Sequence, residues 1–237
     1  MIRRRLVLSA ILLVSAVPAW GQGAAMPQTE DDAKMGQVLT EGMHLMWDKK
    51  AAQAIVLFDK VAADYDGRFK EPGVKYYSAR TMAETLFYGL DTASSGKSKA
   101  VVISANWGYA YYLKGYELME LSRVAEAKPA LLRAAELSPQ NAQFLSELGY
   151  VYQLEKSWPL ALATYQRAEA AATGFSPPNL KNPELARALR GQGYVYVELN
   201  RLDDAEKAYR RCLDINKGDE LAAKELRYIQ NQRAKAR

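Results

Sequence analysis

Few residues in this chain could make or break bonds, and their spacing argues against it. The 237 residues include one Cys, Cys212, and one His, His44. A single thiol excludes an intramolecular disulfide framework and any thiolate zinc or iron–sulfur cage, and a single imidazole excludes a multi-histidine metal site. His44 has no Cys, Ser or carboxylate that the sequence fixes beside it, so it reads as a surface or groove histidine. Cys212 is expected to be small, buried and inert, because apolar surroundings disfavour the thiolate; that would let a lone thiol persist in an oxidising compartment. Gly96-Lys97-Ser98 has the closing residues of a phosphate-binding loop, but Asp91 stands where the opening Gly belongs and no apolar strand precedes it. Asp203-Asp204 falls in the first turn of an expected helix, where carboxylates complement the helix dipole. No catalytic constellation, cofactor motif or metal site emerges, so the chain is not expected to be an enzyme.

The composition is that of an ordinary folded protein, with 49% hydrophobic and 25% charged residues. The formal net charge of +5 invites a nucleic-acid reading. The N-terminus removes most of it. Arg3, Arg4 and Arg5 precede an apolar run of 12 residues, Leu6 to Val17, and Pro18-Ala19-Trp20-Gly21 offers small residues for cleavage after Ala19 or Gly21. This pattern predicts a secretory signal peptide over 1–21 and a periplasmic location. Arg4-Arg5 leaves general and twin-arginine export both open. The run falls short of the roughly 20 apolar residues of a membrane span, and no Cys follows it to carry a lipid anchor. Cleavage would remove three Arg and no acid, leaving +2. Residues 22–218 carry 24 basic and 24 acidic side chains, so bulk charge implies no phosphate-binding surface.

Internal repetition decides the fold class. Gly115 and Gly149 lie 34 residues apart, and each is followed after 12 positions by Ala (Ala127, Ala161), then by a large residue (Leu131, Tyr165) and a further Ala (Ala134, Ala168). Gly193 begins the same series with Ala205, Tyr209 and Cys212, and Gly42 begins a fourth with Ala54, Phe58 and Val61. These residues resemble the tetratricopeptide repeat, a 34-residue helix–turn–helix unit. The resemblance implies an all-α, right-handed superhelical solenoid in which the small residue admits the partner helix and stacking supplies the core. It places repeats at about 35–68, 108–141, 142–175 and 186–219, after a linker over 22–34. Asn200 sits where the first helix of the last unit ends, a position that often takes the left-handed conformation.

Two segments depart from the pattern. Residues 69–107 keep only Ala93 and Ala100 in register, and they read as a degenerate helical unit with Val74 to Leu90 helical. Residues 176–185 hold Pro177, Pro178 and Pro183, and they read as a stiff loop through which no helix passes. Residues 219–237 repeat Leu221, Ala222, Leu226 and Ile229 at helical spacing, which predicts a capping helix with a solvated basic face.

The resemblance also implies that the first helix of each unit lines a concave groove. The residue after each small position faces it: Met43, Tyr116, Tyr150 and Tyr194. Tyr109, Tyr112 and Met119 would extend this surface, and Arg187 and Arg190 could hold a carboxylate. Tyrosine combines contact area with a hydrogen-bonding tip, which suits an extended peptide or a partner helix. The family's clamp for C-terminal carboxylates uses Lys and Asn; those places hold Tyr112, Tyr116, Glu147, Arg187 and Gly191 here, so the clamp does not carry over. The expected function is a non-enzymatic protein-binding scaffold of the cell envelope. The alternative is a subunit of polysaccharide synthesis or export machinery. Neither reading calls for nucleic acid, a cofactor, or a membrane span after cleavage.

Overall fold

The structure is a computed structural model that describes residues 29–95 and 99–235. The expected signal peptide, residues 22–28 and Gly96-Lys97-Ser98 lie outside them. Four antiparallel helix pairs form the array: α1 (Glu30–Trp47) with α2 (Ala51–Arg68), α4 (Asn106–Glu120) with α5 (Val124–Leu137), α6 (Ala142–Leu154) with α7 (Trp158–Phe175), and α8 (Pro178–Glu198) with α9 (Leu202–Ile215). The last helix, α10 (Glu220–Lys235), packs on α9 and caps the stack. The result is a right-handed solenoid of helical repeats.

One turn, used four times, joins the helices within each pair. Lys49, Ser122, Lys156 and Asn200 all adopt φ between 56° and 60°. In each case the next residue donates its N–H back across the turn: Lys50 to the Leu45 carbonyl, Arg123 to Leu118, Ser157 to Tyr152 and Arg201 to Tyr196, at 2.8–2.9 Å. This bond satisfies a carbonyl that the helix end leaves unpaired, and it requires the left-handed residue before it. Packing between the paired helices follows the Gly–large spacing. A Cβ on Gly115 would come within 2.6 Å of Leu131, on Gly149 within 2.9 Å of Tyr165, and on Gly193 within 2.7 Å of Tyr209. Ala54, Ala127, Ala161 and Ala205 are fully buried at the facing positions.

Residues 69–107 are not a helical repeat. They fold as β1 (Val74–Ala79), α3 (Met82–Ser95) and β2 (Lys99–Ser104), with the two strands parallel and Val74 opposite Lys99. The reason is local: Val74, Tyr76 and Tyr77, then Val101, Val102 and Ile103, are β-branched or aromatic residues that favour extended backbone. Parallel strands need a crossover, and α3 supplies it. Thr81 caps α3, accepting from the Glu84 N–H at 3.1 Å. Meanwhile α2 packs directly on α4, so the insertion leaves the solenoid through one edge without interrupting the stack.

The 176–185 loop is also corrected. The helix α8 begins at Pro178, with Pro177 as its N-cap and Pro183 inside. Proline fits the first helical turn because its missing N–H has no partner there anyway. Pro183 deprives the Asn179 carbonyl of its helical donor, but Asn179 is exposed and water can serve instead. The 22–34 linker likewise gives way to helix at Glu30, where Thr29 caps α1.

The insertion is fastened to the rest of the solenoid by buried polar groups. The Ser78 hydroxyl donates to the Ser104 carbonyl at 2.7 Å and accepts from the Gly108 N–H at 3.1 Å, while the Ser138 hydroxyl donates to the Ser78 carbonyl at 2.6 Å. Tyr77 stacks on Tyr88 at 4.6 Å, and the Tyr88 hydroxyl accepts from the Gln140 N–H. Arg80 makes the longest link. Its Nε donates to Glu84 at 3.0 Å, and its two terminal nitrogens donate to both oxygens of Glu184 on α8 at 2.7 and 2.9 Å. Ser176 closes the cluster by bonding both Arg80 and Glu184. The Arg80 side chain is 4% exposed and that of Glu84 is 0%.

Two tests follow from this packing. Arg80→Ala leaves Glu84 and Glu184 without their cation, and breaking such a buried pair costs about 3–5 kcal/mol; urea unfolding measures it. Replacing all three by Met or Leu should recover most of that loss. Cys212 is buried in the helix α9 with its Sγ near the Ala186 and Ala208 carbonyls, and burial pushes its thiol up to about 12. A thiol reagent should therefore label the native protein far more slowly than the unfolded chain.

Candidate functional site

The residues expected to face a groove lie on the first helices of their pairs, and side chains link α4 to α6 and α6 to α8. Tyr112 on α4 stacks on Phe144 of α6 at 4.7 Å, and Tyr109 meets the same ring edge-on at 4.9 Å. Gln143 donates to the Tyr112 hydroxyl at 2.9 Å. On the next step, Glu147 of α6 pairs with Arg187 of α8. Tyr165, from α7, lies between these helices. A Cβ on Gly149 would come within 2.9 Å of its ring, and one on Gly191 within 2.3 Å. The two glycines therefore set how closely α6 and α8 approach across the tyrosine.

This close approach divides the nine expected groove residues. Tyr109, Tyr112, Met43 and Met119 are buried in the main core and present no open surface. Phe144 covers the two tyrosines, and the Arg80 cluster lies next to Tyr109. Arg190 is drawn away from ligand duty: it pairs at 2.5 Å with Asp219, which caps α10 by accepting from the Ala222 N–H. That contact ties the capping helix to the last pair. Tyr116, Tyr150, Arg187 and Tyr194 remain half-buried.

Sequence reasoning missed the group that organises them. Glu147 is fully buried; one of its oxygens pairs with Arg187, and the other, Oε1, has no hydrogen-bond partner among the described residues. Its register gave a signal, since the same position two residues before the repeat glycine holds Leu113 and Gly191 in neighbouring units. A carboxylate there is out of pattern. Tyr165 and Glu120 also belong to the site.

The electrostatics are shared across the groove. Burial raises the pKa of Tyr112, and the Glu147 carboxylate adds to the effect. Burial raises Tyr165 too, with Arg187 opposing and Glu147 reinforcing. Tyr116 is raised by burial and then by the Glu120 and Glu147 carboxylates. Tyr150 is raised by burial, then by Glu147 and Glu120, with Arg187 opposing. Arg187 is disfavoured by burial, but Glu147 together with Tyr112 and Tyr165 more than offsets this, and its pKa is raised. The arrangement offers aromatic faces, hydroxyls and an internal ion pair. It offers no nucleophile beside a base, and no group of His, Cys, Asp and Glu suited to a metal ion occurs among the described residues.

Comparison with known proteins agrees with the fold. Family profiles described as Tetratricopeptide repeat match residues 140–218 and 108–141. Residues 108–218 are tetratricopeptide repeats. None of the curated proteins compared matches the chain in sequence. Among solved structures, PilF of Pseudomonas aeruginosa superposes with a TM-score of 0.61 at 13% identity, covering 87% of this chain and 72% of PilF. MamA of Desulfovibrio magneticus RS-1 gives 0.57 at 14% identity, covering 85% and 86%. At such identities the likeness is one of fold. Among the described residues no helix is long and apolar enough to cross a membrane.

The tyrosines predict the alkaline behaviour of the repeats. A phenol whose pKa is raised by folding, as in Tyr112 and Tyr165 or in Tyr109 and Tyr111 (both pushed up to about 12), favours the fold while protonated. Its contribution is complete below the unfolded value near 10 and is lost as pH rises above it. Tyrosinate absorbance should therefore rise in two phases, the later one together with loss of helical circular dichroism. Titration of all 15 tyrosines near pH 10 with the helices intact would refute the buried set.

Proposed function

We propose that this protein is an exported, non-enzymatic scaffold of the cell envelope that holds a segment of a partner protein in the concave groove of its repeats. The observation that carries the reading is the set Tyr116, Tyr150 and Tyr194. These residues stand at equivalent places on the first helices of three successive pairs, half-buried, near the Glu147–Arg187 pair. Rings of this kind lose little freedom on binding, and each offers both an apolar face and a polar tip. Helical repeats commonly use their concave side in this way. Export rests on Arg3 to Arg5, the apolar run Leu6–Val17 and the small residues before Trp20 and Gln22.

The experiment is crosslinking from the native envelope with wild-type protein and with Tyr150→Ala/Tyr194→Ala. The expected outcome is that the partner crosslinked by the wild type is lost by the double variant, while circular dichroism shows the same helix content. Unchanged crosslinking would move the site out of the groove. Titration of the purified repeats with glycans separates a protein ligand from a polysaccharide one. Mass spectrometry of the exported protein should find its first residue to be Trp20 or Gln22.

A further inference from the structure

The groove reading above leaves open what chemistry the partner presents, and the charges around the tyrosines bear on it. The electrostatic influences on the Tyr150 hydroxyl come from Glu147, Glu120 and Arg187, two carboxylates and one guanidinium. The same three act on Tyr116. The guanidinium is already engaged, because Arg187 is bound to Glu147. Arg190, one turn further along α8, is engaged by Asp219. The acceptors are not used up in the same way. Glu120 is exposed at the end of α4, four residues beyond Tyr116, and Oε1 of Glu147 is a buried carboxylate oxygen with no partner among the described residues. A buried acceptor left in this state is costly, and a donor brought to it removes the cost.

We propose that the groove between α4, α6 and α8 selects a cationic side chain, arginine or lysine, from an extended partner segment. The cation is set between Tyr116 and Tyr150, with Glu120 and the unpartnered oxygen of Glu147 as its acceptors. Tyrosine faces attract cations through the ring quadrupole, so the walls and the acceptors favour the same ligand. A guanidinium suits the site best. It is flat, so it can stack on a tyrosine ring, and it carries five N–H donors in a fixed fork. An acidic segment meets the opposite situation: Glu120 and Glu147 repel it, and Arg187 would have to leave its present partner to receive it.

The test uses a fluorescent extended peptide with two central arginines, titrated into the repeat protein and followed by anisotropy. Two companion peptides replace those arginines by citrulline, which keeps the shape without the charge, or by glutamate. The arginine peptide should bind about tenfold more tightly than the citrulline one, and the glutamate peptide more weakly still. Glu120→Gln is exposed and should fold normally; it should narrow the gap between arginine and citrulline several-fold. Glu147→Gln, checked for retained helix content, should narrow it further. Equal affinities for arginine and citrulline peptides, tightest binding of the glutamate peptide, or no binding of the arginine peptide would each overturn the proposal. The fate of the groove reading is read separately: if both neutral and charged peptides bind equally and Tyr150→Ala/Tyr194→Ala abolishes both, the groove is the site but cation choice is not its rule.

Discussion

A tyrosine ring packed between two glycines governs the geometry of this protein. Tyr165 projects from α7 into the narrow space bounded by Gly149 on α6 and Gly191 on α8, where neither position has room for a Cβ. Close-packed interiors do not yield to even one added methyl without strain. Glu147 and Tyr150 flank Gly149 on one side of this joint, and Arg187 and Tyr194 flank Gly191 on the other. The ring thus sets the distance over which the Glu147–Arg187 pair forms. It also fixes which tyrosines are left half-exposed. The groove is a consequence of how these helices pack, and the residues that line it are within one helical turn of the residues that space it.

A simple repeat array is held together by contacts between neighbours, so its stability is close to a sum of local terms. The insertion changes that. Arg80 comes from the segment between the first and second helix pairs, yet it binds Glu184 on the fourth. On the way, Ser78 bonds to Ser138 at the end of α5 and Tyr88 receives the Gln140 N–H before α6. Every pair after the first is therefore touched by one short β–α–β element running along the edge of the solenoid. The charges involved are almost wholly buried, and such pairs gain little net stability over apolar packing. Their effect is specificity: only one placement of the insertion satisfies Arg80, Glu84, Glu184 and Ser176 together. Burial also keeps the Glu84 carboxyl above its ordinary range even with Arg80 beside it, which shows how closely the cluster is shut off from water.

The repeats were legible because their signal is steric and periodic. Gly115, Gly149 and Gly193, with an Ala 12 positions on, report close approach of two helices in every unit, and the structure uses them in that way. The turns were less legible. Only Asn200 is of a type that favours the left-handed conformation, whereas Lys49, Ser122 and Lys156 adopt it because the flanking helices impose it. The insertion escaped for a different reason. A 34-residue register can show that a segment fails to repeat, but not what it becomes. Two six-residue strands separated by a helix carry no periodicity long enough to stand out. Pro183 misled because a proline inside a helix costs one bond at an exposed turn, and the buried contacts of Glu184, Ala186 and Leu189 just beyond it keep that turn helical.

The candidate site was half legible, and the boundary between the halves is instructive. Position after the repeat glycine found Tyr116, Tyr150 and Tyr194, because side-chain direction on a helix follows register. It could not separate Tyr112 from Tyr116, one turn apart on the same face, since only the approach of Phe144 from α6 buries the first and spares the second. Nor could it weigh charge. The chain from residue 22 to 218 is balanced in its totals, but balance over a whole array says nothing about a groove. Arg187 and Arg190 are each already matched to a carboxylate, which leaves Glu120 and the idle second oxygen of Glu147 as acceptors outside these pairs. A surface that is neutral on average can still be selective at one place, and here the local excess lies beside Tyr116 and Tyr150, rings that the packing leaves partly open.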